Sequence, residues 1–203
     1  MSDSIFYDVV VLPAETLASK AIAASQSLSH FDSLFVLGAN TYYPHVSLYM
    51  LQLKSADIEY AKLLLSDISN RTLRLSLQAI RYDHSHAFVD AEYQLTSELD
   101  SLQRNVIVAL NPLRDGMRDK DKARMLQASG LAHENYQAYG YKQVGGLFRP
   151  HITFSRLKQE NPQALDLLGD ISNYRGEFPR IGLFEIGANG TCVRKIGEWD
   201  LAG

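Results

Sequence analysis

Two histidines of this sequence stand in the same short context, 106 positions apart. The first lies in Pro44-His45-Val46-Ser47-Leu48 and the second in Pro150-His151-Ile152-Thr153-Phe154. Each segment places an imidazole two residues before a hydroxyl. An imidazole has an ordinary pKa of about 6.5, so one histidine can be neutral while another is protonated near neutral pH. The pair is therefore suited to general acid–base catalysis, in which one group takes a proton and the other supplies one.

The apolar residues of both segments indicate β-strands. Successive side chains of a strand alternate between its two faces. This alternation predicts that Ser47 and Tyr49 share a face with His45, and that Thr153 shares a face with His151. A proline opens each run, where its missing N–H disturbs a sheet least. We therefore expect both imidazoles and both hydroxyls to face one cleft.

An internal repeat extends beyond the two histidines. Segments 77–80 and 183–186 are also separated by 106 positions, so a strand, the helix after it and a hairpin recur in the same order. A strand at 5–12, followed by a helix, is likewise echoed by a strand at 87–89 that precedes another helix. Strands that alternate with packed helices imply layers of sheet and helix.

The repeat predicts a single bilobal domain over residues 1–203 that arose by internal duplication. The motif lobes are expected at about 44–93 and 150–199. The extra segment at about 114–146 breaks the symmetry and is interpreted as an insertion that covers the cleft. Its charged run at 114–122 alternates in sign, which is typical of a solvated loop and a helix start.

Composition limits the classes of function. With 203 residues and 46% hydrophobic content, the chain can bury a core without disulfides or metals. A formal net charge of −3 argues against non-specific electrostatic binding of duplex DNA over a broad surface. Cys192 is the only cysteine, which predicts neither a disulfide nor a thiolate metal site within one chain. The sequence shows no signal-peptide pattern and no apolar run of membrane-spanning length, so we expect a cytoplasmic monomer with no membrane partner.

The paired motifs resemble those of the 2H phosphoesterase superfamily, which includes the 2′-5′ RNA ligase-like proteins and the cyclic phosphodiesterases. The second motif is the closer match, because Arg156 follows it as an arginine often does in the ligase-like branch. Ser47 in place of threonine is a common variant. The resemblance implies an α+β fold of two pseudo-symmetric lobes, each a small, mostly antiparallel sheet with helices on its outer face. The two histidine strands would meet in a central cleft.

The resemblance also implies roles for the motif residues. His45 and His151 would be the catalytic acid and base of a metal-independent phosphoesterase. Ser47 and Thr153 would donate hydrogen bonds to the non-bridging phosphate oxygens, which carry the charge of the transition state. The expected partner is a nucleotide or RNA end carrying a 2′,3′-cyclic phosphate or a 2′-5′ phosphodiester, with no metal and no cofactor.

Two further residues are predicted to bind the substrate. Tyr49 shares the predicted face of His45 and could stack on a base, although a packed, half-buried tyrosine is the commoner outcome. Arg156 lies at an odd offset from His151, so a regular strand turns it away from the phosphate. A bulge or the end of the strand is needed to return it to the cleft.

Other interpretations of the same residues stay open at the level of sequence. A non-catalytic module that binds a nucleotide or an RNA end would keep both motifs in the same cleft. Alternatively, the two histidines are packed, hydrogen-bonded strand residues without a chemical role. The pseudo-symmetry of the motifs also leaves open which histidine is the acid and which is the base.

Overall fold

The structure, a computed structural model, describes residues 4–203. Over this range the chain forms eight β-strands and five α-helices. The strands are β1 (Ser4–Leu12), β2 (Val46–Lys54), β3 (Leu75–Ser85), β4 (Phe88–Tyr93), β5 (His151–Arg156), β6 (Arg175–Phe178), β7 (Arg180–Ile186) and β8 (Cys192–Asp200). The α-helices are α1 (Glu15–Leu28), α2 (Ile58–Arg71), α3 (Ser97–Leu110), α4 (Asp119–Gln127) and α5 (Gly130–Tyr139).

The strands form two separate four-stranded sheets in which every pairing is antiparallel. The strand order is β2-β1-β7-β8 in the first sheet and β5-β4-β3-β6 in the second. The two motif strands, β2 and β5, are therefore edge strands of different sheets, and they contact each other. The predicted α+β fold of two lobes, with the histidine strands meeting in a central cleft, is confirmed.

Strand β1 shows how the sequence builds the first sheet. Tyr7, Val9 and Val11 lie on one face and join the main hydrophobic core, whereas Val10 belongs to a smaller cluster on the opposite face. Burial on both faces explains the nearly continuous apolar sequence of this strand. Asp8 is the exception, because it is fully buried and lies on the same face as Val10. The groups that surround this buried carboxyl group belong to the cleft.

Apolar stripes at helical spacing attach the helices to the sheets. Helix α1 packs on β5 and β6 of the second sheet, and helices α2 and α3 pack on β7, β8 and β2 of the first. The buried residues of the α1 stripe include Leu17, Ala21, Ala24 and Leu28. The helix that follows β1 therefore covers the opposite lobe, which ties the two lobes together.

Each of the two motif segments contributes strands to both sheets. Segment 44–93 supplies β2 to the first sheet but β3 and β4 to the second. Segment 150–199 supplies β5 and β6 to the second sheet and β7 and β8 to the first. The sheets therefore do not coincide with the predicted lobe boundaries, because β4 of one segment is the ladder partner of β5 of the other. An origin by duplication remains a prediction.

The two repeats also differ after the motif strand. An α-helix, α2, follows β2, whereas two 3-10 helices, Pro162–Leu167 and Ile171–Tyr174, occupy the corresponding place after β5. Strand β6, which the sequence patterns did not indicate, then completes the second sheet. Within residues 4–203, no helix combines the length and the apolar character needed to cross a membrane.

Candidate active site

A cavity of about 640 Å³ lies where β2 and β5 meet. Its lining includes all four residues that were predicted from the two motifs, His45, Ser47, His151 and Thr153. The two imidazoles are close enough to interact electrostatically. The structure therefore brings both motifs into one site.

The two imidazoles are anchored in the same way. Nδ1 of His45 lies 2.6 Å from the carbonyl oxygen of Tyr43, and Nδ1 of His151 lies 2.7 Å from that of Arg149. A carbonyl oxygen only accepts hydrogen bonds, so Nδ1 carries the proton in each ring. Nε2 is then the atom of each neutral ring that can accept a proton from a ligand. The side chains remain 12% and 18% exposed, which leaves them accessible from the cavity.

A β-bulge interrupts each motif strand at the same place in the motif. The extra residue is Leu48 in the ladder of β2 with β1, and Phe154 in the ladder of β5 with β4. Ser47 and Tyr49, for example, pair with consecutive residues of β1. An extra residue reverses the alternation of side chains beyond it. The hydroxyl residues before each bulge keep the predicted face, and the residues after it exchange faces.

The bulge at Leu48 directs Tyr49 into the core. The Tyr49 side chain is fully buried, and its hydroxyl lies 2.7 Å from Oδ1 of Asn111 and 2.8 Å from the carbonyl oxygen of Tyr139. Met50 lines the cavity instead. The prediction that Tyr49 shares the face of His45 and can stack on a base is therefore wrong.

The bulge at Phe154 has the opposite consequence for Arg156, which lines the cavity. The guanidinium carbon lies 4.8 Å from the centroid of the Phe88 ring, a cation–π contact. One guanidinium N–H group donates to Oδ1 of Asn189 at 3.0 Å, in the turn between β7 and β8. Arg156 thus reaches from the second sheet to the first across the cleft. Ser155, by contrast, is buried and donates to the carbonyl oxygen of Phe35.

Each sheet also places a buried aspartate beside its motif histidine, and the sequence motifs indicated neither of them. Oδ2 of Asp8 lies 3.7 Å from Nε2 of His45, and Oδ2 of Asp90 lies 3.9 Å from Nε2 of His151. Arg149 donates to Asp90 at 2.8 Å. A lone acidic residue inside a buried apolar strand is the signal that would have found Asp8, because an unpaired buried charge is strongly unfavourable. Asp90 shares β4 with Glu92, so its strand carries no such isolated signal.

The surroundings of Asp8 and His45 favour the neutral form of both. Burial raises the pKa of Asp8 to about 8, against the opposing effects of the hydrogen bond from Ser47 and the charge of Arg118. Burial also lowers the pKa of His45 to about 4, with a smaller opposing effect from the carbonyl of Tyr43. At neutral pH, His45 is therefore in the form that accepts a proton. The Ser47 hydroxyl donates to Oδ2 of Asp8 at 2.6 Å. When Asp8 is protonated, this hydrogen bond can reverse, with Asp8 donating to Ser47.

Asp8 should make the stability of the protein depend on pH in a defined window. A neutral Asp8 in the folded state and an ionised one in the unfolded state make unfolding easier as pH rises from about 4 to about 8. The contribution of His45 to the free energy of unfolding changes in the opposite direction below pH 6.5, where it increases with pH, and it is constant above pH 6.5. Between pH 6.5 and about 8, Asp8 alone should lower the free energy of unfolding by about 2 kcal/mol, since one pKa unit corresponds to about 1.4 kcal/mol.

Substitution Asp8→Asn tests this expectation, because a carboxamide has the same shape and does not titrate. Urea denaturation of both proteins at pH 6.5 and pH 8 measures the effect. The wild type should lose about 2 kcal/mol more than the variant over this interval. Equal losses in the two proteins would show that Asp8 is already ionised at pH 6.5.

One group of three described residues has the donor atoms for a metal ion. Ligand atoms of Asp8, His45 and Cys192 all lie within 4.8 Å of one another. Zinc, however, binds cysteine as the thiolate. Burial and the neighbouring Asp8 raise the pKa of the Cys192 thiol well above its ordinary value. A metal ion would therefore have to displace the thiol proton in order to bind here.

The segment at 114–146 forms one wall of the cavity. Arg118 lines it just before α4, Lys120 and Arg124 line it from α4, and Tyr141 and Gln143 line it after α5. The alternating signs of the charged run at 114–122 predicted a solvated segment. Part of that run faces the cavity instead, so the alternating signs did not indicate its position.

No protein-family model matches the sequence, and no curated protein matches it either. Solved structures do match its fold. TT0787 of Thermus thermophilus is 13% identical, with a TM-score of 0.61 over 98% of this chain and 99% of that one. E. coli LigT complexed with 3′-AMP is 15% identical, with a TM-score of 0.59 over 98% and 99%. E. coli LigT complexed with phosphate is 15% identical, with a TM-score of 0.58 over the full length of both chains.

These likenesses extend over both lobes and the insertion, since they cover nearly all of each chain. At identities of 13–15% they concern the fold. The chain thus has a fold similar to that of LigT, and the resemblance to the 2H phosphoesterase superfamily predicted from the two histidine motifs is confirmed at the level of the fold.

Proposed function

We propose that this protein is a metal-independent phosphoesterase that acts on a ribonucleotide 2′,3′-cyclic phosphate or an RNA 2′-5′ phosphodiester. The observation that carries the proposal is the matched anchoring of His45 and His151, which leaves Nε2 of each ring available to one cavity. The similarity in fold to LigT, which has been crystallised with phosphate and with 3′-AMP, supports a nucleotide ligand. The same groups would serve 2′-5′ ligation, the reverse of cleavage.

In the proposed hydrolysis of a cyclic phosphate, the two histidines exchange protons with the reacting oxygens. Nε2 of His45 takes a proton from water as the water oxygen bonds to phosphorus. The bond from phosphorus to one ribose oxygen breaks, and that oxygen takes the proton from Nε2 of His151. We give His45 the role of base because burial keeps it neutral. In cleavage of a 2′-5′ linkage, a ribose hydroxyl takes the place of water.

The charge that develops on the non-bridging oxygens needs fixed donors. Thr153 presents its hydroxyl from β5, the strand of His151. Ser47 presents its hydroxyl from β2. Ser47 can donate to the phosphate once a protonated Asp8 donates to it in turn. The guanidinium of Arg156 adds a positive charge that Phe88 and Asn189 hold in place.

Hydrolysis of 2′,3′-cyclic nucleotides should survive an excess of EDTA and show a bell-shaped dependence on pH. Activity should fall at low pH as His45 gains a proton, with the acidic limb near pH 4 rather than near the ordinary histidine value of about 6.5. Loss of the proton that the general acid must supply gives the alkaline limb. Initial rates across pH, with and without chelator, measure both effects. A strict requirement for an added divalent metal would contradict the mechanism.

The competing function, a non-catalytic module for nucleotides or RNA ends, predicts binding to the cleft without turnover. The same assay distinguishes the two functions when 2′,3′-cyclic nucleotides and 2′-5′ dinucleotides are both offered. Saturable binding of 3′-AMP together with no hydrolysis of either substrate class would favour the binding module. A monomeric state and a cytoplasmic location complete the proposal.

A further inference from the structure

The insertion gives the cavity an excess of positive charge. Arg118, Lys120 and Arg124, which we call the insertion cations, line the cavity together with Arg156. Asp121 is the carboxylate that pairs with two of them, Arg118 and Arg124. Four cations thus converge with one acid on this side of the cavity, although the whole chain has a formal net charge of −3. A concave surface of this sign concentrates anions.

Lys120 is the insertion cation without a partner. Within residues 4–203 it forms neither a hydrogen bond nor an ion pair. Lys122, two residues further along α4, instead binds Asp119 at 2.9 Å and lies outside the cavity lining. The two lysines therefore differ in surroundings although they share one helix. Lys120 is left to interact with a ligand.

The position of Lys120 among like charges also indicates an anion. Desolvation lowers the pKa of Lys120, and the charges of Arg118, Arg124 and Arg156 act in the same direction, against the opposing charge of Asp121. A bound anion would relieve the mutual repulsion.

The reacting phosphate does not account for this cluster. It lies between the two histidines, where Ser47, Thr153 and Arg156 supply its donors in the proposed mechanism. Lys120 and Arg124 line the cavity from α4, and neither lies on a motif strand. The cluster therefore offers a second anionic position on the same ligand.

We propose that the insertion cations bind a second phosphoryl group of the substrate, distinct from the one that reacts. The proposal rests on the proposed function, since it places the first phosphate between His45 and His151. The ligand class is a nucleotide with a phosphate on its 5′ side in addition to its 2′ or 3′ phosphate. Such a group occurs as a 5′-monophosphate or as the next phosphodiester of an RNA chain.

Binding calorimetry with adenosine 3′-monophosphate and adenosine 3′,5′-bisphosphate tests the subsite without depending on catalysis. The bisphosphate should bind about tenfold more tightly, because its second phosphoryl group adds a charge-assisted contact that solvent partly screens. The advantage should shrink as ionic strength rises. Equal affinities would overturn the subsite while leaving the nucleotide cleft intact. Absence of binding by both ligands would overturn the proposed function and the subsite together.

Lys120→Gln and Lys122→Gln form a matched pair for the same measurement, because each removes one positive charge from α4. Lys120→Gln should abolish most of the preference for the bisphosphate and leave affinity for the monophosphate unchanged. Lys122→Gln should leave both affinities unchanged. An equal weakening by the two variants would mean that general charge, rather than a site, attracts the ligand, and would overturn the proposal.

A dinucleotide with a terminal 3′-phosphate distinguishes the two sources of the second phosphate. Its internal phosphodiester lies on the 5′ side of the terminal nucleoside. If it matches the bisphosphate in affinity and in sensitivity to Lys120→Gln, the subsite accepts an RNA chain. If it binds only as the monophosphate does, the subsite requires a terminal 5′-monophosphate. Both outcomes support a second phosphate position.

Discussion

Replacing either motif histidine should abolish most activity and leave the fold intact. His45→Ala removes the proton acceptor and His151→Ala removes the proton donor, and a positioned acid or base contributes about 10²–10⁴ in rate. Each variant should therefore lower kcat/KM on a 2′,3′-cyclic nucleotide by about 10²–10⁴. The kcat/KM of the double variant should be little lower than that of the less active single variant, because the effects of groups that act as one unit are strongly non-additive.

Melting temperatures of the same variants decide whether the histidines are catalytic or structural. Both rings border the cavity, so water can replace their contacts, and the melting temperature should fall by no more than about 4 °C. His30→Ala, at an exposed position outside the cavity, is the matched control and should change neither quantity. Ser47→Ala and Thr153→Ala should have smaller effects on rate than either histidine variant. Variants that melt well below the wild type yet keep near-normal turnover per folded molecule would show that the histidines are packing residues.

The sequence was sufficient to predict the elements that carry the histidines but not the direction of every side chain on them. Alternation correctly placed Ser47 and Thr153 beside their histidines, because both precede the bulges. It failed for Tyr49, and it would have failed for Arg156 without the proviso of a bulge. A bulge depends on how two distant strands pair across the sheet, so the sequence of a single strand does not contain it.

The buried aspartates illustrate a second limit. Asp8 lies in a strand whose hydrophobicity predicts its burial, yet the strand is far from both motifs in the sequence. Its proximity to His45 follows from the pairing of β1 with β2, and that of Asp90 to His151 from the pairing of β4 with β5. The insertion adds a similar case, since the sequence alone does not distinguish Lys120 from Lys122. Only the packing of α4 against the cleft separates them.

The positions of Arg118 and Arg124 in the cavity wall should depend on Asp121. This carboxylate is 3% exposed, and it accepts hydrogen bonds from Nε of Arg118 at 2.5 Å and from Arg124 at 3.2 Å. Removing one partner of a buried ion pair typically destabilises a protein by about 3–5 kcal/mol. Because the Arg124 side chain is 61% exposed, we expect Asp121→Ala to lower the free energy of unfolding by about 2–3 kcal/mol.

Asp119→Ala is the matched control for Asp121→Ala, because both residues lie in the first turn of α4. The two substitutions share the gain in helix propensity and the loss of a negative charge at the helix N-terminus. They differ in burial, since the Asp119 side chain is 97% exposed and its ion pair with Lys122 should contribute at most about 1 kcal/mol. Urea denaturation measures the global effect, and hydrogen exchange of the α4 amides detects an opening confined to this helix. If Asp121→Ala is no more destabilising than Asp119→Ala in both measurements, the buried carboxylate does not hold Arg118 and Arg124 in place.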